Sequence, residues 1–109
     1  MSRLGKIDLI VSLKENWNAN GAGVFSEPFI RNVKSIVMML DNQPEIFPTA
    51  NKSIQLEYDK PDGSHMEIEL FENGDSEVFE VDAYGNESLL NIDTNVETIN
   101  KVVNDFYDS

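Results

Sequence analysis

Acidic side chains dominate the second half of the sequence and are the first residues that could do chemistry. The chain has 109 residues, of which 20 are acidic and 8 are basic, and its formal net charge is −12. Residues 1–52 carry six basic and five acidic side chains, whereas residues 53–109 carry two basic and fifteen acidic ones. Such a surface opposes nucleic-acid binding, because phosphates are bound through Lys and Arg. It favours a basic partner, a cation or solubility alone.

These carboxylates do not form a recognisable catalytic or metal-binding motif. The chain has one histidine and no cysteine, which excludes a cysteine metal site, a thiol nucleophile and a centre built from several histidines. No loop shows the calcium-binding alternation of Asp and Asn with a Gly and a terminal Glu. Asp59 and Asp82 are expected to flank His65 and favour its charged form, but no nucleophile is placed beside them. We therefore predict no enzyme activity, no metal and no cofactor.

The spacing of apolar residues predicts three helices. Apolar side chains recur at intervals of three and four in residues 2–16, 26–40 and 94–107, which is typical of helices with one buried face. Ser26 is predicted to cap the second helix. Thr94 is predicted to cap the third, with Glu97 completing a capping box. Residues 44–52 contain two prolines and are expected to be extended and irregular.

From residue 53 onward the period changes from 3.6 to two. Apolar and polar residues alternate in residues 54–59, 66–71 and 78–82, which predicts three strands with one wet face each. Residues 88–92 are a candidate for a short fourth strand. The turns between these segments are short, so the strands are expected to form an antiparallel meander.

Two turns set the predicted register of this meander. A three-residue loop at residues 61–63 would place Leu56 opposite Ile68. A two-residue loop at Asn73-Gly74 would place Ile68 opposite Phe79. The two turns independently put the apolar residues on one face, and this agreement supports the meander.

The same register predicts rows of acidic residues on the other face. Glu57, Glu67 and Glu80 would form one such row, and Glu77 would be an exception on the apolar side. Like charges directly opposite each other destabilise a sheet, so we expect the row to serve a partner. The alternative is a solvated face that resists aggregation. The predicted partner-binding residues are Glu57, Asp59, Glu67, Glu69, Glu80 and Asp82.

Together the elements predict one α+β domain over residues 1–109. We expect two layers, in the order helix, helix, three or four antiparallel strands, helix, with the helices on one face of the sheet. No apolar run approaches the ~20 residues that a membrane helix needs. The first residues show no small-residue cleavage site. We therefore expect a cytoplasmic protein that does not bind a membrane.

Several segments resemble a scattered group of small bacterial proteins that have no assigned activity. Residues 16–22 are similar to a Trp-Asp-Gly-Tyr-Gly-Ala loop, and residues 44–49 match Pro-Glu-Ile-x-Pro-Thr. Residues 53–58 are similar to an Ile-x-Leu-Glu-Trp strand, and residues 66–70 to a Leu-Glu-Ile-Glu strand. The similarity covers about residues 10–80. It implies a compact domain and supplies no catalytic residue. The chain departs from the pattern at Asn18, Ala19, Asn20 and Tyr58.

Three functions are compatible with these observations. The first is a non-enzymatic protein that masks a basic protein surface, such as an antitoxin, an immunity protein or an anti-defence inhibitor. The masked protein could itself bind nucleic acid. The second is a small ligand-binding or enzymatic domain that uses the Trp17 loop and residues 44–52. The third is a structural or assembly subunit. Trp17 is the only tryptophan, and it is a candidate interface anchor or a residue that closes the core.

Overall fold

The computed structural model describes residues 25–49 and 52–108. In this part of the chain one helix precedes and one helix follows a five-stranded antiparallel sheet. Strands that are consecutive in the sequence are also neighbours in the sheet. The predicted α+β class is confirmed, with five strands instead of three or four. The predicted first helix and Trp17 lie outside the described residues. The elements are α1 (Glu27–Met38), β1 (Glu45–Pro48), β2 (Ser53–Asp59), β3 (His65–Phe71), β4 (Ser76–Val81), β5 (Glu87–Ile92) and α2 (Val96–Asp108).

Helix α1 begins where the sequence predicts. The hydroxyl of Ser26 accepts a hydrogen bond from the backbone N–H of Phe29 (3.3 Å), which satisfies one of the free donors of the first turn. The carboxylate of Glu72 accepts from the backbone N–H of Ser26 (2.6 Å). A carboxylate at this end of a helix is favoured by the helix dipole. Glu72 therefore ties the start of α1 to the β3–β4 turn.

Helix α2 is capped by a different residue from the one predicted. The side chain of Asn95 accepts from the backbone N–H of Thr98 (2.8 Å), so Asn95 is the cap. Thr94 lies one residue too early, and its hydroxyl donates to the carbonyl of Gly74 (2.7 Å). Thr94 thus joins the start of α2 to the β3–β4 turn. None of the helices that the structure describes is long and apolar enough to cross a membrane.

Strand β1 is the element that the sequence analysis missed. Residues 44–52 were expected to be irregular, but Glu45–Pro48 pairs with β2 and places Ile46 opposite Leu56. Ile46 is fully buried, whereas Glu45 and Phe47 are exposed. The alternation is real, but three residues between two prolines are too few to distinguish it from a loop.

The register of β2 and β3 is as predicted, and that of β3 and β4 differs by one residue. Leu56 faces Ile68, but Ile68 faces Val78 where the sequence predicted Phe79. The cause is the turn, which has three residues. The N–H of Phe71 donates to Asp75 (3.0 Å), the N–H of Gly74 donates to Phe71 (3.0 Å), and Gly74 has a φ of 95°. This is a type I turn followed by a left-handed glycine.

A one-residue slip moves every side chain of a strand to the other face of the sheet. Val78 therefore lies in the core at 4% exposure, and Phe79 lies on the opposite face. Glu77 now pairs with Glu69, so the conflict that it caused with the apolar face disappears. Glu80 pairs with Met66 and shares the helix-covered side of the sheet. The predicted row of Glu57, Glu67 and Glu80 is therefore wrong.

The core lies between the two helices and one face of the sheet. Each helix contributes one apolar stripe, and β2 and β3 contribute the alternate residues that the sequence assigned to the inner face. Tyr58 closes one side, where its hydroxyl donates to the carbonyl of Asn42 (2.8 Å) and its ring meets that of Tyr107. The fully buried residues include Val33, Val37, Ile46, Ile54, Leu56, Met66, Ile68, Leu70, Ile99 and Val103.

The register can be tested with paired substitutions in β4. Val78→Lys should destabilise the fold by about 3 kcal/mol or more, because it places an unpaired charge in the core. Phe79→Lys should change the free energy of unfolding by no more than about 1 kcal/mol, since its side chain lies on the other face. Urea denaturation measures both. The opposite order of stability would restore the register predicted from the sequence.

Candidate functional site

The face of the sheet that points away from α1 and α2, here called the outer face, carries most of the predicted site. Its residues alternate with the core residues along each strand and are mostly half-buried. They are Glu45 and Phe47 on β1, Ser53, Gln55, Glu57 and Asp59 on β2, His65, Glu67, Glu69 and Phe71 on β3, Glu77, Phe79 and Val81 on β4, and Glu87, Leu89 and Asn91 on β5.

Charge and apolar surface are separated along the central row of the outer face. Glu45, Glu57 and Glu67 are directly opposite one another on β1, β2 and β3. The row continues with Phe79 on β4 and Leu89 on β5. This row therefore passes from carboxylates on β1 to β3 to apolar side chains on β4 and β5, whereas the other rows of the outer face are mixed, with Phe47 on β1, Glu77 on β4 and Glu87 on β5.

Four of the six predicted partner-binding residues share this face, and two do not. Glu57, Asp59, Glu67 and Glu69 lie together on β2 and β3. Glu80 lies on the helix side, for the reason given above. Asp82 follows β4, and its carboxylate accepts from the backbone N–H groups of two turn residues, Tyr84 (2.8 Å) and Asn86 (2.9 Å). Asp82 therefore stabilises the β4–β5 turn.

Sequence reasoning missed Glu45, Glu77, Phe79 and Leu89 as outer-face residues. A signal for three of them was present in the conflict at Glu77, because a charged residue on the apolar side indicates a register error. Moving β4 by one residue removes that conflict and brings Phe79 onto the outer face, with Leu89 beside it. Glu45 could be found only by recognising β1 as a strand.

His65 lies between two carboxylates. Its Nδ1 donates to Asp59 (2.6 Å) and its Nε2 donates to Glu67 (2.8 Å). Partial burial lowers the pKa of His65, but the hydrogen bonds to Asp59 and Glu67, together with their negative charges, outweigh this effect and raise the pKa above its ordinary value. Both ring nitrogens act as donors in this arrangement, which is that of the charged imidazolium.

Neighbouring polar groups hold two more carboxylates in place. The side-chain amide of Gln55 donates to Glu57 (2.5 Å), and the hydroxyl of Ser53 donates to Glu69 (2.5 Å). A carboxylate can accept about four hydrogen bonds, so each group keeps free acceptor positions. The carboxylates are therefore oriented and are able to bind Lys or Arg side chains of a partner.

Glu57, His65 and Glu67 are also a geometric match for a small metal-binding group. One ligand atom from each residue lies within 4.8 Å of the others. A histidine must lose its proton from the ligating nitrogen to bind a metal, whereas the two carboxylates beside His65 favour its protonated form. The arrangement thus favours a proton over a metal ion at this position.

No protein-family model matches the chain, and no curated protein or solved structure is significantly similar to it. The resemblance to the group of small bacterial proteins therefore stays a prediction.

The clamp around His65 predicts a raised and tunable pKa. The imidazole should titrate above its ordinary value of about 6.5, and Asp59→Asn should lower the midpoint because it removes one charged hydrogen-bond acceptor. The pairing of charged His65 with Asp59 and Glu67 stabilises the fold fully below about pH 6.5. This stabilisation is lost as the pH rises through the raised pKa of His65. NMR titration measures the midpoint on one resolved signal, because the chain has a single histidine.

Asp105→Asn is the matched control for this titration. This substitution removes the same charge, but Asp105 pairs with Lys101 on α2 and has no hydrogen bond to His65. It should leave the midpoint unchanged within the error of the measurement. A wild-type midpoint at or below the ordinary value would contradict the clamp.

Proposed function

We propose that the protein is a non-enzymatic binding protein whose outer face masks a basic surface of another protein. One observation carries this proposal, namely the row in which Glu45, Glu57 and Glu67 lead directly to Phe79 and Leu89. Charged residues beside aromatic and aliphatic ones supply the two parts of a specific interface. The carboxylates steer a basic partner and select it, and the apolar residues supply buried contact area.

Electrostatic repulsion within the free protein supports a basic partner. Glu57 and Glu67 are direct cross-strand neighbours, and like charges in such positions destabilise a sheet by a few tenths of a kcal/mol or more per pair. On the outer face as the structure describes it, His65 is the one basic side chain, and Asp59 and Glu67 already engage it. Lys and Arg side chains of a partner would offset the remaining repulsion.

The partner class follows from the same chemistry. A protein with a basic patch fits, including one whose patch binds nucleic acid, whereas nucleic acid itself would be repelled. An antitoxin, an immunity protein or an anti-defence inhibitor of this type would act by covering such a patch, and we propose that this protein is a cytoplasmic protein of that kind. Among the residues that the structure describes, the hydrogen-bond partners of His65 are the carboxylates of Asp59 and Glu67 and not a hydroxyl nucleophile, which favours binding over catalysis.

Charge reversal tests the proposal. The immobilised chain is incubated with lysate of its native host, and the retained proteins are identified by mass spectrometry. Basic proteins should be retained at low salt and partly released at moderate salt. Glu57→Lys combined with Glu67→Lys should weaken retention by roughly tenfold or more, because it removes the steering charges and introduces repulsion.

Asp105→Lys combined with Asp108→Lys is the matched control. It changes the net charge by the same amount at exposed positions of α2, on the other side of the sheet. This variant should retain the partner like the wild type. A retained partner that is not basic, or one that is indifferent to reversal at Glu57 and Glu67, would overturn the proposal.

A further inference from the structure

The two edges of the sheet differ in the backbone groups that they present. Along an antiparallel ladder every second pair of opposite residues is hydrogen-bonded. Thr49 and Ser53 form such a pair, because the N–H of Thr49 donates to the carbonyl of Ser53 (3.0 Å). Glu45 and Phe47 therefore also point their backbone groups toward β2, whereas Pro44, Ile46 and Pro48 point theirs outward. Proline has no N–H, so β1 presents one outward donor. Prolines that remove outward N–H donors from an edge strand are a common way to prevent the addition of a further strand.

Strand β5 has no such protection. The N–H of Asp82 donates to Asn86 (3.0 Å), which places the even-numbered residues of β5 in hydrogen-bonded pairs with β4. The backbone groups of Glu87, Leu89 and Asn91 therefore point outward. The strand contains no proline, no lysine and no residue with positive φ. In the part of the chain that the structure describes, no strand lies beyond it.

Two exposed leucines lie in the middle of this edge. Leu89 is 66% exposed on the outer face, and Leu90 is 59% exposed on the helix side. Apart from Ile92, every residue of β5 is exposed. A regular edge with apolar side chains on both faces is a template for pairing with another strand.

We propose that a second copy of the chain pairs its own β5 with this edge, antiparallel and around a two-fold axis. Leu89 would lie opposite Leu89 of the second copy, and Glu87 opposite Asn91 of the second copy. All the outward backbone groups of both strands then fall in hydrogen-bonded pairs, since residues 87, 89 and 91 have the same phase. The two sheets join into one continuous sheet.

Charge selects this register over its neighbour. A two-fold axis at Leu90 instead of Leu89 would set Glu87 opposite Asp93 of the second copy, and like charges in that position are destabilising. With the axis at Leu89, each Glu87 meets the uncharged Asn91. An axis at Ser88 would set Asn91 opposite Gly85, which lies outside β5. Only the axis at Leu89 pairs all three outward residues of β5 with one another and keeps Glu87 away from an acidic residue.

The net charge of −12 on each copy opposes association. Glu77 and Glu87 lie nearest the second copy, and the central acidic row lies farther away. Strands are spaced by about 4.8 Å, so Glu67 of one copy and Glu67 of the other would be roughly 24 Å apart, five spacings. The Debye length at physiological ionic strength is about 8 Å. Salt should therefore screen the repulsion and promote the dimer, whereas it weakens binding of a basic partner.

The dimer should be weak, because a single pair of strands buries less than the ~1,600 Å² of a standard interface. Sedimentation velocity at roughly 10 to 500 micromolar protein covers the range in which such a complex dissociates. The wild type should shift from the 12.3 kDa monomer toward twice that mass, and the shift should grow with salt. Leu89→Lys should raise the dissociation constant by roughly tenfold or more, because it places two lysines opposite each other.

Met39→Lys is the matched control, since it changes an exposed apolar residue (66% exposed) to the same charge at the end of α1. It should dimerise like the wild type. Glu57→Lys combined with Glu67→Lys should also dimerise, which separates this inference from the proposed function. A wild type that stays monomeric at moderate salt throughout this range, or a dimer unaffected by Leu89→Lys, would overturn the proposal.

Amide hydrogen exchange provides a second test that needs no variant. The N–H groups of Leu89 and Asn91 should become protected as the protein concentration rises, whereas those of Ser88 and Leu90 should be protected at every concentration by their bonds to β4. An unprotected Leu89 N–H in the dimer would show that another surface associates. Protection of Leu89 only after addition of a basic partner would assign the edge to that partner and overturn the pairing of two copies.

Discussion

The length of the β3–β4 turn is the constraint on which the rest of the structure depends. Because Gly74 takes a left-handed conformation, the loop holds three residues, and β4 is set one residue away from the register of a two-residue loop. Val78 thereby enters the core and Phe79 leaves it. Strand β5 follows β4, so the same turn also decides that Leu89 joins the outer face. One backbone conformation thus sets the composition of half the sheet.

The outer face that results is more than an accumulation of negative charge. Glu57 faces Glu67 across β2 and β3, and Glu69 faces Glu77 across β3 and β4, while His65 neutralises part of this charge through Asp59 and Glu67. The central row continues onto Phe79 and Leu89 and ends at an edge strand with outward backbone donors. Along this row, charge, which acts over several ångströms, and apolar area and backbone pairing, which act only at contact, therefore occupy different parts.

Local patterns predicted those elements whose residues repeat over a sufficient length. The apolar spacing of α1, its Ser26 cap and the alternation of β2 and β3 were all read correctly, because each depends on residues close in sequence. Strand β1 was not predicted, because it has only four residues, the last of which is a proline, and it directly follows another proline. The cap of α2 was misplaced by one residue, since Thr94 and Asn95 are both good caps and only the contact of Thr94 with Gly74 distinguishes them.

By itself, the sequence determined the α+β class, the acidic second half and the association of Glu57, Asp59, Glu67 and Glu69 on one face. It did so because side-chain period and net charge are properties of local sequence. Only the tertiary structure decided that Glu80 faces the helices, that Asp82 holds a turn, and that Phe79 and Leu89 complete the row. These outcomes depend on strand register, and a change of one residue in the length of a turn shifts that register by one residue and so reverses a whole strand.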